Sequence, residues 1–336
     1  MLDINYIREN LDKVKKSVEA RKSDVDLEKL LKLDDQRREL ISKVDDLRAK
    51  RNEAARAKNI ETGKKIKKEL EELEKELKRI EEEWNKLMFL VPNILLDEVP
   101  IGDASKNAVI RKEGEIHKFN FKAKDHIELG KSLDIIDFDR GVKVSGFRGY
   151  FLKNEGARLH WAILNFALDY ISQKGFQVVV PPVIDRGFAL LGAGQFPWGE
   201  EDTYKIGEDE YLVGTAEMPL MAMHSDETFK AKDLPKKYVA LSPCFRTEIG
   251  SYGKDTKGLY RVHEFYKVEQ VILCWSDEKE TLGFFEDLQD NAEGILQELG
   301  LSYQVVCLSS QEMGKKSALT YDIETWMPGR ESYGET

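Results

Sequence analysis

Between residues 27 and 90 the chain repeats apolar side chains at alternating intervals of four and three. Ile66, Leu70, Leu73, Leu77, Ile80, Trp84 and Leu87 form one a/d heptad seam. Leu33, Leu40, Val44, Leu47 and Ala54 form a second, with Arg37 and Arg51 at its two remaining seam positions. Between them "KNIETGKK" (58–65) offers Asn and Gly as helix breakers and Thr62 as an N-cap. Two matched seams joined by a short turn predict an antiparallel helical hairpin. At about 1.5 Å per residue, two helices of roughly 30 residues would each reach some 45 Å. That is an arm, not a core element.

The charge along this arm is uneven. The whole chain carries 52 basic and 62 acidic residues, a net charge of −10. That balance argues against general nucleic-acid coating unless basic residues are concentrated locally. Around the turn they are. Arg48, Lys50, Arg51, Arg56, Lys58, Lys64, Lys65, Lys67 and Lys68 face only Glu53 and Glu61. One reading is a solvated coiled coil used for dimerisation. The other is a basic tip that grips a phosphate backbone. The tip has no aromatic residue, so recognition there would go by shape or backbone rather than by bases.

"VPNILLDEVPIG" (91–102) ends the second helix, and its two prolines mark a domain boundary near residue 100. Beyond it the pattern changes. A helix is expected from about Gly156 to Lys174, with Leu159, Ile163, Phe166 and Tyr170 on one face, and another over 277–299. Strands are expected at "FQVVVPPVI", "EYLVGTAE", "KYVALSPCFRTE", "LYRVHEFYKVEQVILC" and "SYQVVCLS". The class is α+β: a long antiparallel coiled-coil arm, then a mainly antiparallel sheet with flanking helices. No apolar run of about 18 residues suggests a membrane span, and "MLDINYIREN" is no secretory signal. The three cysteines and five histidines fit no disulfide framework and no zinc site, which points to a reducing, cytoplasmic setting. P-loop, Rossmann and GxSxG signatures are absent as well.

The densest chemistry lies in "FRTEIGSYGKDTKGLYRVHEF" (245–265). Read as a hairpin, strand parity puts Arg246 and Glu248 on one face of the first strand. The same parity puts Arg261, His263, Phe265, Lys267 and Glu269 together on the return strand. Glycines 250, 253 and 258 make the connection a long loop rather than a tight turn. Arginines, carboxylates and one ring on a single face suit a ligand with phosphate, amino groups and a flat base. A solvated face of cross-strand ion pairs would give the same pattern.

"CFRTEIGSYGKDTKGLYRVHEFYKVE" resembles motif 2 of class II aminoacyl-tRNA synthetases, in the form found in seryl-tRNA synthetases. The likeness continues in the family's order. The coiled coil resembles the tRNA-binding arm, and "SLDIIDFDRGVKVSGFRGYFLKNEGARL" and "GFQVVVPPVI" (similar to motif 1) follow. "YLVGTAEMPL" is similar to the serine loop, and "YDIETWMPGRESYGE" to the next signature. The resemblance implies a helical tRNA-binding arm over 1–100 and a class II catalytic domain over 101–336. It implies ATP-dependent activation of L-serine to seryl-adenylate and transfer to the 3′ end of tRNA(Ser), with selenocysteine tRNA as an open second acceptor. ATP with Mg2+, a homodimer and no membrane partner come with it.

Residue by residue, the resemblance implies that Arg246 holds the α-phosphate of ATP and stabilises charge as the serine carboxylate attacks. ATP would also meet Thr247, Glu248 at the adenine amino group, the backbone of Val262, Phe265 by stacking, and Glu335, which would also hold magnesium. Thr215, Ala216, Glu217 and Glu269, with Arg246, would bind serine. In the family a serine-rich stretch and motif 3 follow the last signature, whereas this sequence ends at Thr336. The expectation is therefore a C-terminally incomplete catalytic domain with impaired adenylation on its own. A non-catalytic tRNA-binding protein derived from the family is the alternative.

Overall fold

In a computed structural model, described for residues 2–249 and 257–336, the two seams become the helices Leu27–Arg56 and Ile60–Leu90. They run antiparallel, as the partners show. Leu33 and Leu40 meet Ile80, while Val44 meets Ile66 and Leu70. Each such side chain contributes about 1.5–3 kcal/mol when buried. Arg37, a charged residue in the seam, lays its guanidinium over the Trp84 ring at 4.8 Å and donates to Glu81 at 3.2 Å. It covers the indole with its planar head and keeps its charge paired.

The turn differs from expectation. Thr62 is not the N-cap: Asn59 is, its side chain accepting from the Thr62 amide at 3.1 Å. Thr62 and Gly63 lie inside the helix. The break comes earlier, at Lys58 with φ 54°, where the Asn59 amide closes back on Ala54 O.

The chain divides into two compact units. The first runs to Ala108 and includes Cys307–Thr320. At the root of the arm, helices Ile4–Glu9 and Leu11–Ala20 bring Ile7 and Val14 against Leu27, Leu30, Met88 and Val91. Arg8 pairs with Asp34 at 2.6 Å and with Asp35 at 2.5 Å. Arg21, 1% exposed, donates to the carbonyls of Gly314 and Ser317 and so ties in the returning segment. Burial brings its guanidinium down to about 10.

The second unit takes Val109–Val306 and Tyr321–Thr336. Strand Gln177–Val179 pairs in parallel with Lys236–Phe245, which pairs antiparallel with Glu264–Leu273. One face of this sheet packs Val239, Val268 and Ile272 against Ile171, Phe176, Leu288 and Ile295. These come largely from helices Asn154–Ser172 and Glu278–Glu298. A four-stranded sheet runs Ala108–Glu113, Tyr303–Cys307, Tyr321–Met327, Ser332–Glu335, its last pair antiparallel. The α+β reading therefore holds. No helix among the described residues is long and apolar enough to cross a membrane.

Three local readings need correction. "EYLVGTAE" is a strand only at Tyr211–Leu212, and Glu217–Ala222 is helical. "KYVALSPCFRTE" leaves the sheet after Phe245, and the return strand starts at Glu264 rather than near 259. Leu159 and Ile163 are 58% and 38% exposed, because Ala167 and Ile171 form the packed stripe of their helix.

Glu293 of the Glu278–Glu298 helix, 4% exposed, accepts from Arg111, Gln289 and Tyr303. It thereby joins that helix to two strands of the larger sheet. Burial alone would raise its carboxyl, but these donors outweigh it and hold it below the usual range. Stabilisation from a depressed carboxyl is present above the unfolded value of about 4.3 and is lost as pH falls through the folded one. Glu293→Gln should lower the melting temperature at neutral pH. The gap to the parent chain should narrow below about pH 4 in a pH series of thermal melts.

Candidate active-site wall

The register Ala240↔Glu269, Ser242↔Lys267 and Cys244↔Phe265 places these six residues on one face of the smaller sheet. The lower part of that face is core: Tyr238, Ala240 and Val271 pack on Ala216 and Leu220. Above it stand Phe265, Lys267 and Glu269, partly exposed. Cys244, on the same face, is fully buried, and burial pushes its thiol up, away from the thiolate a nucleophile needs.

Glu269 anchors the polar part. Its Oε2 accepts from Thr215 Oγ1 and lies 2.5 Å from Lys267 Nζ. Thr215 Oγ1 in turn accepts from the Glu217 amide at 3.3 Å. Thr215 and Glu217 are thus joined to Glu269, from which they are far removed in sequence. Ala216 has another place: its methyl is fully buried in the core and cannot line an open pocket.

Arg246 lies one residue beyond the strand yet keeps the face that parity assigned. Its guanidinium sits 5.1 Å from the Phe265 ring centroid, and its Nε donates to Gly214 O at 3.3 Å. Its amide bonds to His263 O at 3.0 Å, which carries the pairing past the ladder. Parity fails after that. Glu248 has φ 56°, a left-handed conformation, so the segment is no longer a pleated strand. Thr247 donates through Oγ1 to Glu201 O at 2.8 Å, and the Glu248 amide donates to Asp202 Oδ1 at 2.9 Å.

Glu248, its side chain 7% exposed, pairs with Arg261 at 2.6 Å. This corrects the parity picture: Arg261 lies before the return strand and reaches Glu248 through loop geometry. Val262 is 6% exposed, so its side chain is inside and only its backbone could meet a ligand. Glu335 stands on the other sheet, its Cα opposite that of Glu324. The neighbouring Gly334 runs so close to Tyr260 that an added Cβ would lie 2.9 Å from the Tyr260 hydroxyl. Glycines 250 and 253 of the connecting loop lie outside the described residues.

Asp202 and Gly214, which brace the segment after the strand, were not foreseen. No sequence signal pairs Asp202 with Glu248 across 46 positions. Lys267 was visible as a face-mate of Glu269, though its ion pair was not.

With this geometry in hand, kinship can be stated. The "tRNA synthetase class II core domain (G, H, P, S and T)" family matches residues 202–336, and the "Seryl-tRNA synthetase N-terminal domain" family matches residues 1–95. The serine–tRNA ligase of Borrelia garinii subsp. bavariensis is 43% identical, over 100% of this chain and 82% of its own length. This chain belongs to the serine–tRNA ligase family.

Two solved members resemble it throughout. The seryl-tRNA synthetase of Pyrococcus horikoshii complexed with ATP has a TM-score of 0.87 at 37% identity, covering 100% of this chain and 83% of that one. The cytoplasmic serine–tRNA ligase of Naegleria fowleri in complex with AMP has a TM-score of 0.87 at 30% identity, covering 100% and 81%.

A test of the wall's internal geometry is available without any ligand. Thr215→Val removes the donor to Glu269 at nearly constant volume. Loss of a hydrogen bond to a charged group costs about 1.5–3 kcal/mol. The lower end is expected, since the Glu269 side chain keeps 21% exposure. The urea unfolding midpoint reads this loss, and Thr215→Ser should recover most of it.

Proposed function

We propose that the chain joins L-serine to ATP and passes the seryl group to the 3′ end of tRNA(Ser). The observation that carries this reading is the Arg246 guanidinium held over Phe265, beside the joined Thr215, Glu269 and Lys267. In the first step the serine carboxylate attacks the α-phosphorus of ATP, and pyrophosphate leaves with the electrons of the broken P–O bond. Arg246 holds the α-phosphate oxygens and offsets the charge that builds there. Phe265 supplies a face on which adenine stacks. The Glu248 carboxylate and the Val262 backbone meet the edge of the base, with Arg261 orienting Glu248 through their ion pair. Thr247 steadies this segment from its bonds to Glu201 and Asp202.

Glu269 takes the ammonium group of serine, and Thr215, Ala216 by its backbone and Glu217 border the pocket. Specificity would then rest on polar groups that alanine leaves unpaired, a strong filter. The work is positioning and electrostatics, with no protein nucleophile. Among the described residues no group of three or more His, Cys, Asp and Glu could hold a metal. Magnesium, however, uses one or two carboxylates plus phosphates. The facing pair Glu324 and Glu335 fits such a site. Magnesium bound there would neutralise phosphate charge.

Residues 1–100 act as the tRNA-gripping arm and 101–336 as the catalytic part. Every tip cation from Arg48 to Lys68 is exposed. Arg48 pairs with Glu74 at 2.9 Å and Lys67 lies 3.8 Å from Glu71. Lys50, Arg51, Arg56, Lys58, Lys64, Lys65 and Lys68 form no ion pair among the described residues. They are placed to meet phosphates. The apolar side chains left exposed near the motif 1-like segment, Val178 at 49%, Val180 at 91% and Leu159 at 58%, suit a second copy of the chain in a homodimer. Free cysteines at 244, 274 and 307 accord with a cytoplasmic setting.

Serine-dependent exchange between ATP and pyrophosphate tests activation, with Arg246→Ala expected to reduce the rate by about 100-fold or more. If neither this chain nor one extended with a relative's C-terminal segment shows exchange, the activation reading fails. A tRNA-binding protein without catalysis would then be the surviving one. For the arm, Lys64→Glu with Lys65→Glu should weaken tRNA binding most at low salt. It should also flatten the plot of log affinity against log salt by about one unit per lost phosphate contact. Filter binding that ignores salt would overturn the arm's role.

A further inference from the structure

The stretch from Gly258 to Val262 carries two of the groups assigned to the nucleotide. One is the Val262 backbone, and the other is Arg261, whose ion pair orients Glu248. The stretch precedes the return strand, and the ladder ends at the pair Phe245↔Glu264, so ladder hydrogen bonds do not fix it. Three contacts contribute to holding it. The Arg330 guanidinium lies 4.8 Å from the Tyr260 ring centroid. Gly334 passes so near that an added Cβ would lie 2.9 Å from the Tyr260 hydroxyl. His126, 133 positions from Leu259, accepts the Leu259 amide at Nε2, 3.0 Å away.

His126 is presented from a braced turn. It opens the helix His126–Ser132, whose N-cap Asp125 accepts the Glu128 amide at 2.8 Å. Gly329 seats against that cap, where a Cβ would lie 2.7 Å from Asp125 Cα. On the other side of the contact Gly258 has φ 79°, a left-handed conformation that glycine adopts freely. A Cβ at Gly258 would run into the His126 ring, so glycine is what lets the chain approach it.

Of the three holds, the one through His126 depends on a proton. An imidazole nitrogen that accepts a hydrogen bond carries no hydrogen, so the ring is neutral there, with its hydrogen on Nδ1. Protonation would set a second N–H against the Leu259 N–H and break the contact. The ring is exposed and borders a cavity of about 320 Å3, so protons reach it from water. The charged and titratable groups around it are Asp125, Lys257, Tyr260 and Arg330, with Lys122 and Lys124 on the larger neighbouring cavity.

We propose that His126 is a positioning residue for the nucleotide: by holding the Leu259 amide through Nε2, it keeps Arg261 and Val262 where they meet the adenine edge. The inference rests on the reading that Glu248 and Val262 face ATP. Arg261 and Val262 follow Leu259 directly in the chain, so a shift at the Leu259 amide carries to both. His126 itself touches no part of the ligand.

The test uses the full chain in two measurements. In NMR with 15N-labelled histidine, five side chains give few signals, and His126 is assigned by its loss in His126→Gln. Near pH 8 its Nε2 should be unprotonated and its Nδ1 protonated. Calorimetric ATP binding reads the consequence. His126→Ala should weaken it about fivefold, as loss of one ordinary hydrogen bond implies. Binding of inorganic triphosphate should not change, whereas collapse of the site would weaken both. His126→Gln, whose side-chain carbonyl can accept the same amide, should restore the parent affinity. From about pH 8 to 5, where histidine changes charge, the parent should lose affinity relative to His126→Gln. That ratio cancels protonation of ATP itself. A protonated Nε2 at pH 8, parental ATP binding in His126→Ala, or one shared pH profile for the parent and His126→Gln would each overturn the proposal. A parent chain that binds no ATP would strike the ATP reading itself, a result distinct from ATP binding that ignores His126.

Discussion

The antiparallel ladder between Lys236–Phe245 and Glu264–Leu273 sets almost everything at the candidate site. Its register decides that Glu269 stands opposite Ala240 and Phe265 opposite Cys244. A slip of one residue would send Phe265, Lys267 and Glu269 to the face now packed on two helices. That face is filled by Val239, Val268 and Ile272, so a slip would also bury charge in the core. Hydrophobic packing on one side of the sheet therefore fixes the chemistry on the other.

Pairing then holds the charges in place. Glu269 is set by Lys267 and Thr215, and Glu248 by Arg261. Arg246 is treated differently: a carbonyl and a ring hold it, and among the described residues it forms no ion pair. A guanidinium oriented by neutral groups keeps its full charge for an incoming anion, whereas a carboxylate partner would spend part of it. Ion pairs thus position the carboxylates, while neutral groups position the arginine.

Within the first unit the same division of labour recurs. Leucines along the seams carry the stability, while the cations near Lys58 contribute little to folding because they are solvated and mostly unpaired. Residues 2–26, which lie outside the two seams, close the root of the arm through Ile7, Val14 and the Arg8–Asp34 pair. Arg8 and Asp34 are 26 positions apart, and periodicity cannot announce such a contact.

The heptad spacing determined the arm, because a 3.5-residue repeat brings two helices together along their seams, and the short turn between them determined the antiparallel pairing and the isolation of the basic tip. Strand parity likewise placed Phe265, Lys267 and Glu269 on one face. Parity could not reach Thr247, Glu248, Arg261 or Val262, because alternation ends where the ladder ends and Glu248 turns left-handed. Thr62 looked like a cap, yet Asn59 took the role once Lys58 had closed the preceding helix. Tertiary structure alone decided that Asp202 braces Glu248, that Gly214 aims Arg246 and that Ala216 belongs to the core. Each depends on segments distant in sequence meeting at hydrogen-bond or packing distance, and that meeting is set by the packing of whole elements rather than by any local pattern.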